Sequence, residues 1–323
     1  MVLLLVARTV SKRSGWGVGR AGLSNAASAG RGNVLVKPAE LAAKLDKGEN
    51  DIVVFDSSWH MPGSDRNARE EFMQDRIPTA QFFDIDSISD SSSPLPHTLP
   101  TAEFFQEAAR EFGVTNESTV VTYDSVGLFS SARCWWLFKY FGHRNVYILD
   151  GGLPAWKGQN FETIAGDETN GPQALGGSFR AVAEHSRLAS LSDMNQSKLN
   201  DTKSTIFDAR GAPRFNGDVD EPREGVRTGH IPGSVNVPFQ SLLTEDGSGL
   251  LDTDLLTVRL DQAAPEGLIQ DTSRPIITSC GSGVTACIIL AALEIVGRTE
   301  NTKLFDGSWT EYGMSDLPVD TKK

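Results

Sequence analysis

Cysteine is scarce in this chain: three residues, Cys134, Cys280 and Cys287, with no CxxC pair and no histidine beside any of them at metal-ligand spacing. An odd, widely spaced set does not make a disulfide framework and fits a reducing compartment. The five histidines, at 60, 97, 143, 185 and 230, stand singly, so neighbours in sequence assemble no metal cluster. Positive charge is also short. Thirty Lys and Arg against 42 Asp and Glu leave a net charge of −12, which excludes a surface built for nucleic acid or an anionic membrane. An anionic substrate must then be held by local arginines, against the overall field. Acidic residues are missing altogether before Glu40, while Arg8, Lys12, Arg13, Arg20, Arg31 and Lys37 lie among many Ser, Ala and Gly. That is the profile of a mitochondrial transit peptide, expected over residues 1–32, with an ordinary disordered tail as the alternative. The apolar run Val2 to Ala7 is too short to span a bilayer and has no basic segment before it, so neither a membrane anchor nor a secretory signal is expected.

What is present is a globular composition, 39% hydrophobic, in a chain long enough for two domains. The two halves repeat one another. Val54-Phe55-Asp56 is answered by Ile206-Phe207-Asp208, and Ile77-Pro78 by Ile231-Pro232. Asp124-Ser125-Val126-Gly127 is answered by the loop beginning at Cys280, and Leu149-Asp150-Gly151 by Phe305-Asp306-Gly307. The offsets at Asp56/Asp208, Pro78/Pro232, Asp124/Cys280 and Asp150/Asp306 are 152, 154, 156 and 156, and such constancy means an internal duplication. Short apolar runs such as Ile52–Asp56 and Val120–Tyr123 alternate with helical patterns. Examples of the latter are Pro38 to Leu45, with proline near its start, and a segment capped by Thr101 and closed by Gly113. The expected fold is therefore α/β: two domains, over 33–160 and 179–323, each a mostly parallel sheet flanked by helices. A Gly/Asp/Glu/Asn-rich linker joins them over 161–178. In such sheets the site lies at the carboxyl ends of the strands.

The most informative stretch is Ile276-Ile277-Thr278-Ser279-Cys280-Gly281-Ser282-Gly283-Val284-Thr285, followed by the apolar segment Ala286 to Val296. It predicts a strand ending at a cysteine, a glycine-containing loop, and a helix that stops before Gly297. Glycines let the loop curl with its amides inward, and the helix presents its positive end to the same point. Both favour a thiolate, the nucleophilic form of cysteine. A cysteine phosphatase would need an arginine six positions on, where Ala286 stands, and a nucleotide-binding P-loop would need a lysine at Val284. In the first half Asp124 occupies the nucleophile position and cannot carry sulfur. Only the second domain is therefore expected to be catalytic, with the first supplying a wall of an interdomain cleft. Cys134 and Cys287 are expected in the core.

Cys280-Gly281-Ser282-Gly283-Val284-Thr285 resembles the active-site loop of the two-domain rhodanese family. Within that family it is most similar to the 3-mercaptopyruvate sulfurtransferases, because the thiosulfate-using branch places two basic residues where this chain has Gly281 and Ser282. The segment Ala212 to Arg223 resembles the family's substrate-binding stretch. The resemblance implies that Arg214 and Arg223 hold the substrate carboxylate and carbonyl, with Gly281, Gly283, Val284 and Thr285 of the loop around it. A guanidinium fork suits a carboxylate, although the sequence around these arginines is acidic and equally compatible with an exposed, ion-paired loop. The resemblance further implies a relay of Ser282, His97 and Asp86.

The implied reaction is a ping-pong transfer: Cys280 takes the sulfur of 3-mercaptopyruvate as a persulfide, pyruvate leaves, and a thiol such as thioredoxin, a small thiol, or cyanide accepts it. No metal or organic cofactor is expected, because the cysteine carries the sulfur. Two other readings stay open. One is a thiosulfate sulfurtransferase, and the other is a persulfide carrier within a sulfur relay, which would have less need of carboxylate clamps. A mitochondrial location is expected, or a cytoplasmic one from a downstream start.

Overall fold

The computed structural model describes residues 30–49, 51–166 and 176–321. All but the last three residues of the expected leader, and residues 167–175 of the expected linker, lie outside the described residues. Two five-stranded, wholly parallel sheets carry the fold. In the first half the strands are β1 (Leu35–Val36), β2 (Ile52–Asp56), β3 (Gln81–Phe82), β4 (Thr119–Tyr123) and β5 (Val146–Leu149), in the order β1-β5-β4-β2-β3. In the second they are β6 (Leu188–Ala189), β7 (Thr205–Asp208), β8 (Val235–Asn236), β9 (Ile276–Ser279) and β10 (Thr302–Phe305), in the order β6-β10-β9-β7-β8. Replacing each strand by its counterpart turns one order into the other. The duplication read from residue spacing is thus also a duplication of hydrogen-bonded topology.

The central strands are short, β-branched runs covered on both faces, as a parallel sheet requires: Ile276, Ile277, Thr278 and Ser279 are all buried. The helices of the first half are α1 (Pro38–Asp46), α2 (Ala68–Gln74), α3 (Ala102–Glu111), α4 (Ser131–Tyr140) and α5 (Gly152–Gly158). Local chemistry sets their ends. Pro38 opens α1, and the Thr101 hydroxyl caps α3 by accepting the Phe104 amide at 3.2 Å. Gly113 follows α3 with φ +80°. The second half contributes α6 (Gln196–Thr202), α7 (Ala212–Asn216), α8 (Thr253–Ala263), α9 (Ala286–Ile295) and α10 (Ser308–Met314).

Helices α4 and α9 follow the nucleophile position in their respective halves, and they pack against each other. Each is buried along almost its whole length, Trp135, Trp136 and Phe138 on one and Ile288, Ile289 and Leu293 on the other. A helix that is apolar all round must be covered all round, and here each helix covers the other. One hydrophobic cluster consequently runs through both halves. Ion pairs tie the same seam: Arg133 to Asp306 at 2.7 Å, Lys139 to Glu294 at 3.0 Å, and Arg31 to Asp150 at 2.9 Å, with Arg31 also donating to Leu250 and Leu251 of the second half. The seam brings the loops after β2 and β4 to face those after β7 and β9. That opposition creates the cleft described next.

Candidate active site

Strand β9 delivers Cys280 to its carboxyl end, and the start of α10 pins it there. The Cys280 amide donates to the Ser308 hydroxyl at 3.1 Å, and its carbonyl accepts the Trp309 amide at 2.9 Å. The Gly281 carbonyl accepts both the amide and the hydroxyl of Thr310. Gly283 sits at φ +77°, and a Cβ there would lie 2.7 Å from the Asp306 carbonyl oxygen, so the loop can curl only with glycine at this position. None of the backbone amides of residues 281–286 donates to a protein acceptor among the described residues. These unspent donors belong to the loop that runs from Cys280 to the positive end of α9, a combination suited to an anion. Cys280 itself is 2% exposed.

A cleft of about 380 Å³ opens over the sulfur. Its second-half wall is Cys280, Gly281, Ser282, Val284 and Thr285 with Arg210, Arg214, Arg223 and Phe239; the first half contributes Trp59, Met61 and Phe129. The two arginines singled out by sequence both line it, in different states. Arg214 is paired with Glu221, whose other oxygen takes Arg210 at 2.9 Å; Arg210 in turn grips Asp208 and lies 4.3 Å over the Trp309 ring. Arg214 is therefore both ion-paired and in the cleft, so the acidic surroundings in sequence are its scaffold. Its Nη2 would stand 3.1 Å from a Cβ at Gly281, so a side chain after the cysteine would press on the guanidinium. Arg223 is half-buried and has no hydrogen bond or ion pair among the described residues. Burial and the nearby Arg214 cation pull it below arginine's ordinary value. It is a half-buried cation lining the cleft, with the Glu221 and Asp86 charges near it but not in direct contact.

The three residues of the expected relay meet across the domain seam. Nε2 of His97 lies 2.8 Å from the Asp86 carboxylate, and its Nδ1 lies 3.0 Å from the Ser282 hydroxyl. A carboxylate accepts, so in the neutral imidazole Nε2 carries the proton, Nδ1 is the acceptor, and Ser282 donates to it. The His97 hydrogen bond, with further help from the Trp59 indole and the Arg223 charge, holds the Asp86 carboxyl below the ordinary carboxylate range. His97 is buried in a left-handed conformation, φ +58°, with its carbonyl held by Arg133, which is itself paired with Asp306. The histidine is thus fixed at the backbone as well as the ring.

Gly283 shapes the loop without lining the cleft, and His97 and Asp86 stand behind Ser282 rather than in it. Cys134 and Cys287 are core thiols that burial pushes well above the usual range, with Cys287 donating to the Gly283 carbonyl at 3.3 Å. Sequence reasoning did not assign roles to Trp59, Phe129, Arg133, Arg210, Glu221 or Ser308. Only Ser308 carried a usable signal. It occupies the place that Gly152 occupies in the first half, both with left-handed backbone, φ +51° and +54°, and a serine tolerated there invites a question about its hydroxyl. Among the described residues no group of His, Cys, Asp and Glu could hold a metal ion, and no helix is long and apolar enough to cross a membrane.

Comparison with known proteins agrees with the duplication. The Rhodanese-like domain family matches the chain twice, over residues 37–159 and 191–315. The chain is similar to the 3-mercaptopyruvate sulfurtransferase of Escherichia coli, with 41% identity over 285 residues, 88% of this chain and 96% of the relative. It is also similar to the thiosulfate/3-mercaptopyruvate sulfurtransferase 1, mitochondrial, of Arabidopsis thaliana, with 37% identity covering 84% of this chain and 75% of the relative. Among solved structures it superposes on the Tum1 protein of Saccharomyces cerevisiae with a TM-score of 0.79 at 31% identity, covering 90% of this chain and 98% of that one.

Proposed function

Because the chain belongs to the rhodanese family and carries the rhodanese-like domain twice, we propose that it is a 3-mercaptopyruvate sulfurtransferase working through a persulfide on Cys280. The observation that carries this reading is the convergence, over one sulfur, of unspent loop amides and two guanidinium groups, with the Asp86–His97–Ser282 chain ending beside it.

The substrate carboxylate and carbonyl lie against Arg223 and Arg214, with the thiol carbon turned to Cys280. The Cys280 thiolate attacks the substrate sulfur, and a sulfur–sulfur bond forms as the carbon–sulfur bond breaks. The bonding pair passes to the carbon fragment as the enolate of pyruvate. Charge develops on the former carbonyl oxygen, where the arginines and the Ser282 hydroxyl can meet it. The substrate thiol gives up its proton as its sulfur becomes the anionic outer atom of the persulfide. The Ser282–His97 pair, with Nδ1 open to accept, takes that proton and returns it to the enolate carbon, while Asp86 keeps the imidazole in the required tautomer. The loop amides hold the outer sulfur of the persulfide as an anion until a thiol, from thioredoxin or a small molecule, attacks it and restores Cys280.

Thiosulfate as an alternative donor is supported by the name of the Arabidopsis relative and by Arg223, which lines the cleft without a direct ion pair among the described residues. The neutral Gly281 and Ser282 beside the sulfur weigh towards the mercapto acid. A mitochondrial destination is part of the proposal, resting on the basic, acid-free residues before Glu40. The test is pyruvate release from 3-mercaptopyruvate in the presence of a thiol. Arg223→Lys keeps the charge but loses the fork, and it is expected to raise the donor KM about tenfold or more. An unchanged KM would remove Arg223 from the clamp.

A further inference from the structure

Asp124 stands at the carboxyl end of β4, where the second half has Cys280, and its carboxylate is buried. The loop that follows is closed around it. Oδ1 accepts the amides of Val126 at 3.2 Å and Gly127 at 2.9 Å. Oδ2 accepts those of Phe129, Ser130 and Ser131 at 2.8, 3.0 and 3.0 Å, together with the Ser131 hydroxyl at 2.8 Å. In the second half the amides of residues 281–286, in the loop after Cys280, have no protein acceptor among the described residues. The first half has kept the anion cradle and filled it with its own first side chain.

The closed loop reaches into the cleft at two points. Phe129 lines it directly, stacks on Trp59 at 6.2 Å and 7°, and meets Phe239 of the second half edge-on at 5.6 Å. The Ser130 hydroxyl accepts the Trp59 amide at 3.1 Å, which sets the backbone that carries the indole. Two consecutive amides held by Asp124 thus belong to the residue forming the apolar wall and to the residue anchoring its partner.

We propose that Asp124 is a positioning residue for the active cleft: its caged carboxylate fixes Phe129 and Trp59, the wall against which the donor is held. The carboxylate form is required because both oxygens accept several donors. An asparagine would offer one oxygen and turn an NH2 group towards N–H groups already pointing inward. In that variant the loop opens and the wall moves with it. The kinetic part of the test rests on the sulfurtransferase reading above, whereas the exchange part does not.

The experiment uses the full chain. Amide hydrogen exchange of the wild type should show Phe129, Ser130 and Ser131 protected although they lie in a loop; rapid exchange there overturns the proposal. Asp124→Asn, Phe129→Ala and the double variant are then compared with 3-mercaptopyruvate as donor. Each single change is expected to lower kcat/KM about tenfold, mainly through KM, as a displaced wall does. The double variant should be no worse than the worse single, because both remove the same wall. Wild-type kinetics in Asp124→Asn, or effects that multiply in the double variant, overturn the proposal. Should Asp124→Asn fail to fold, Ser131→Ala removes one donor of the cage and is expected to raise the donor KM about twofold, an unchanged KM again being the overturning result. Failure of the sulfurtransferase reading shows separately, as absence of pyruvate release by the wild type.

Discussion

Arg133→Met removes a cation from the middle of the domain seam while keeping most of its stem. The guanidinium is buried; it lies 2.7 Å from Asp306, holds the His97 carbonyl and stacks over Trp136 at 5.1 Å. Burial alone would pull Arg133 down, but the charge and hydrogen bond of Asp306, together with Cys287, outweigh it and keep the group above arginine's ordinary value. Without the cation the Asp306 carboxylate, 8% exposed, retains among the described residues only the Leu99 amide on Oδ2, at 2.7 Å. A buried charge left in that state costs about 3–5 kcal/mol, several times the ~0–1 kcal/mol of an exposed pair. Urea denaturation should therefore show a lower midpoint with little change in slope. Asp306→Asn in the same chain should recover most of the loss, since it removes the stranded charge and keeps an acceptor for Leu99. Activity should fall further than stability, because His97 loses the contact that holds its left-handed backbone. A cost below about 1 kcal/mol would refute the reasoning, as would a double variant no more stable than the single.

Two other consequences can be checked directly. Burial raises the Asp56 carboxyl to about 7, against hydrogen bonds from Ser58 and with the Asp124 charge nearby. Between the unfolded value of 3.8 and about 7 the folded state holds a proton that the unfolded chain does not, so stability declines as pH rises through that window and is flat above it. At about 1.4 kcal/mol per pH unit, Asp56→Asn should be up to about 4 kcal/mol more stable than wild type at pH 8 and little different at pH 4; an equal difference at both pH values would contradict this. Gly281→Ala and Gly283→Ala should behave differently although they are two residues apart. A Cβ at 281 meets the mobile end of Arg214 at 3.1 Å, whereas one at 283 meets the Asp306 backbone at 2.7 Å on a left-handed residue. The first should raise the donor KM severalfold at nearly unchanged stability, and the second should cost about 1–3 kcal/mol and most of the activity; denaturation midpoints measured beside KM separate them.

The parts of this molecule visible in the sequence are those built from neighbours in the chain. The strand ending at Cys280, the glycine loop and the apolar helix Ala286–Ile295 are local patterns, and the structure follows them to within a residue or two. The duplication was visible because four landmarks kept their spacing. What stayed hidden depends on partners far apart in sequence: Arg133 with Asp306, Trp59 with Asp86, Phe129 with Phe239. Asp306 was visible as a repeated position, but its charge is answered from the other domain, and no local pattern names that partner. Glu221 illustrates the opposite difficulty. Its closeness to Arg214 and Arg223 in sequence was equally compatible with an exposed ion-paired loop, whereas the structure buries it between Arg210 and Arg214 as the brace of a cleft-lining cation. Charge patterns in sequence do not distinguish a solvated pair from a scaffold, because the difference is burial.

The central claim is that sulfur passes through Cys280. Intact-mass measurement after brief exposure of the wild type and Cys280→Ser to 3-mercaptopyruvate, without acceptor, tests it most directly. The account predicts the gain of one sulfur atom on the wild type, pyruvate released in equal amount, loss of the added mass on treatment with a thiol, and neither event in Cys280→Ser. Sulfur retained by Cys280→Ser, or pyruvate released by the wild type with no sulfur on the protein, would contradict it.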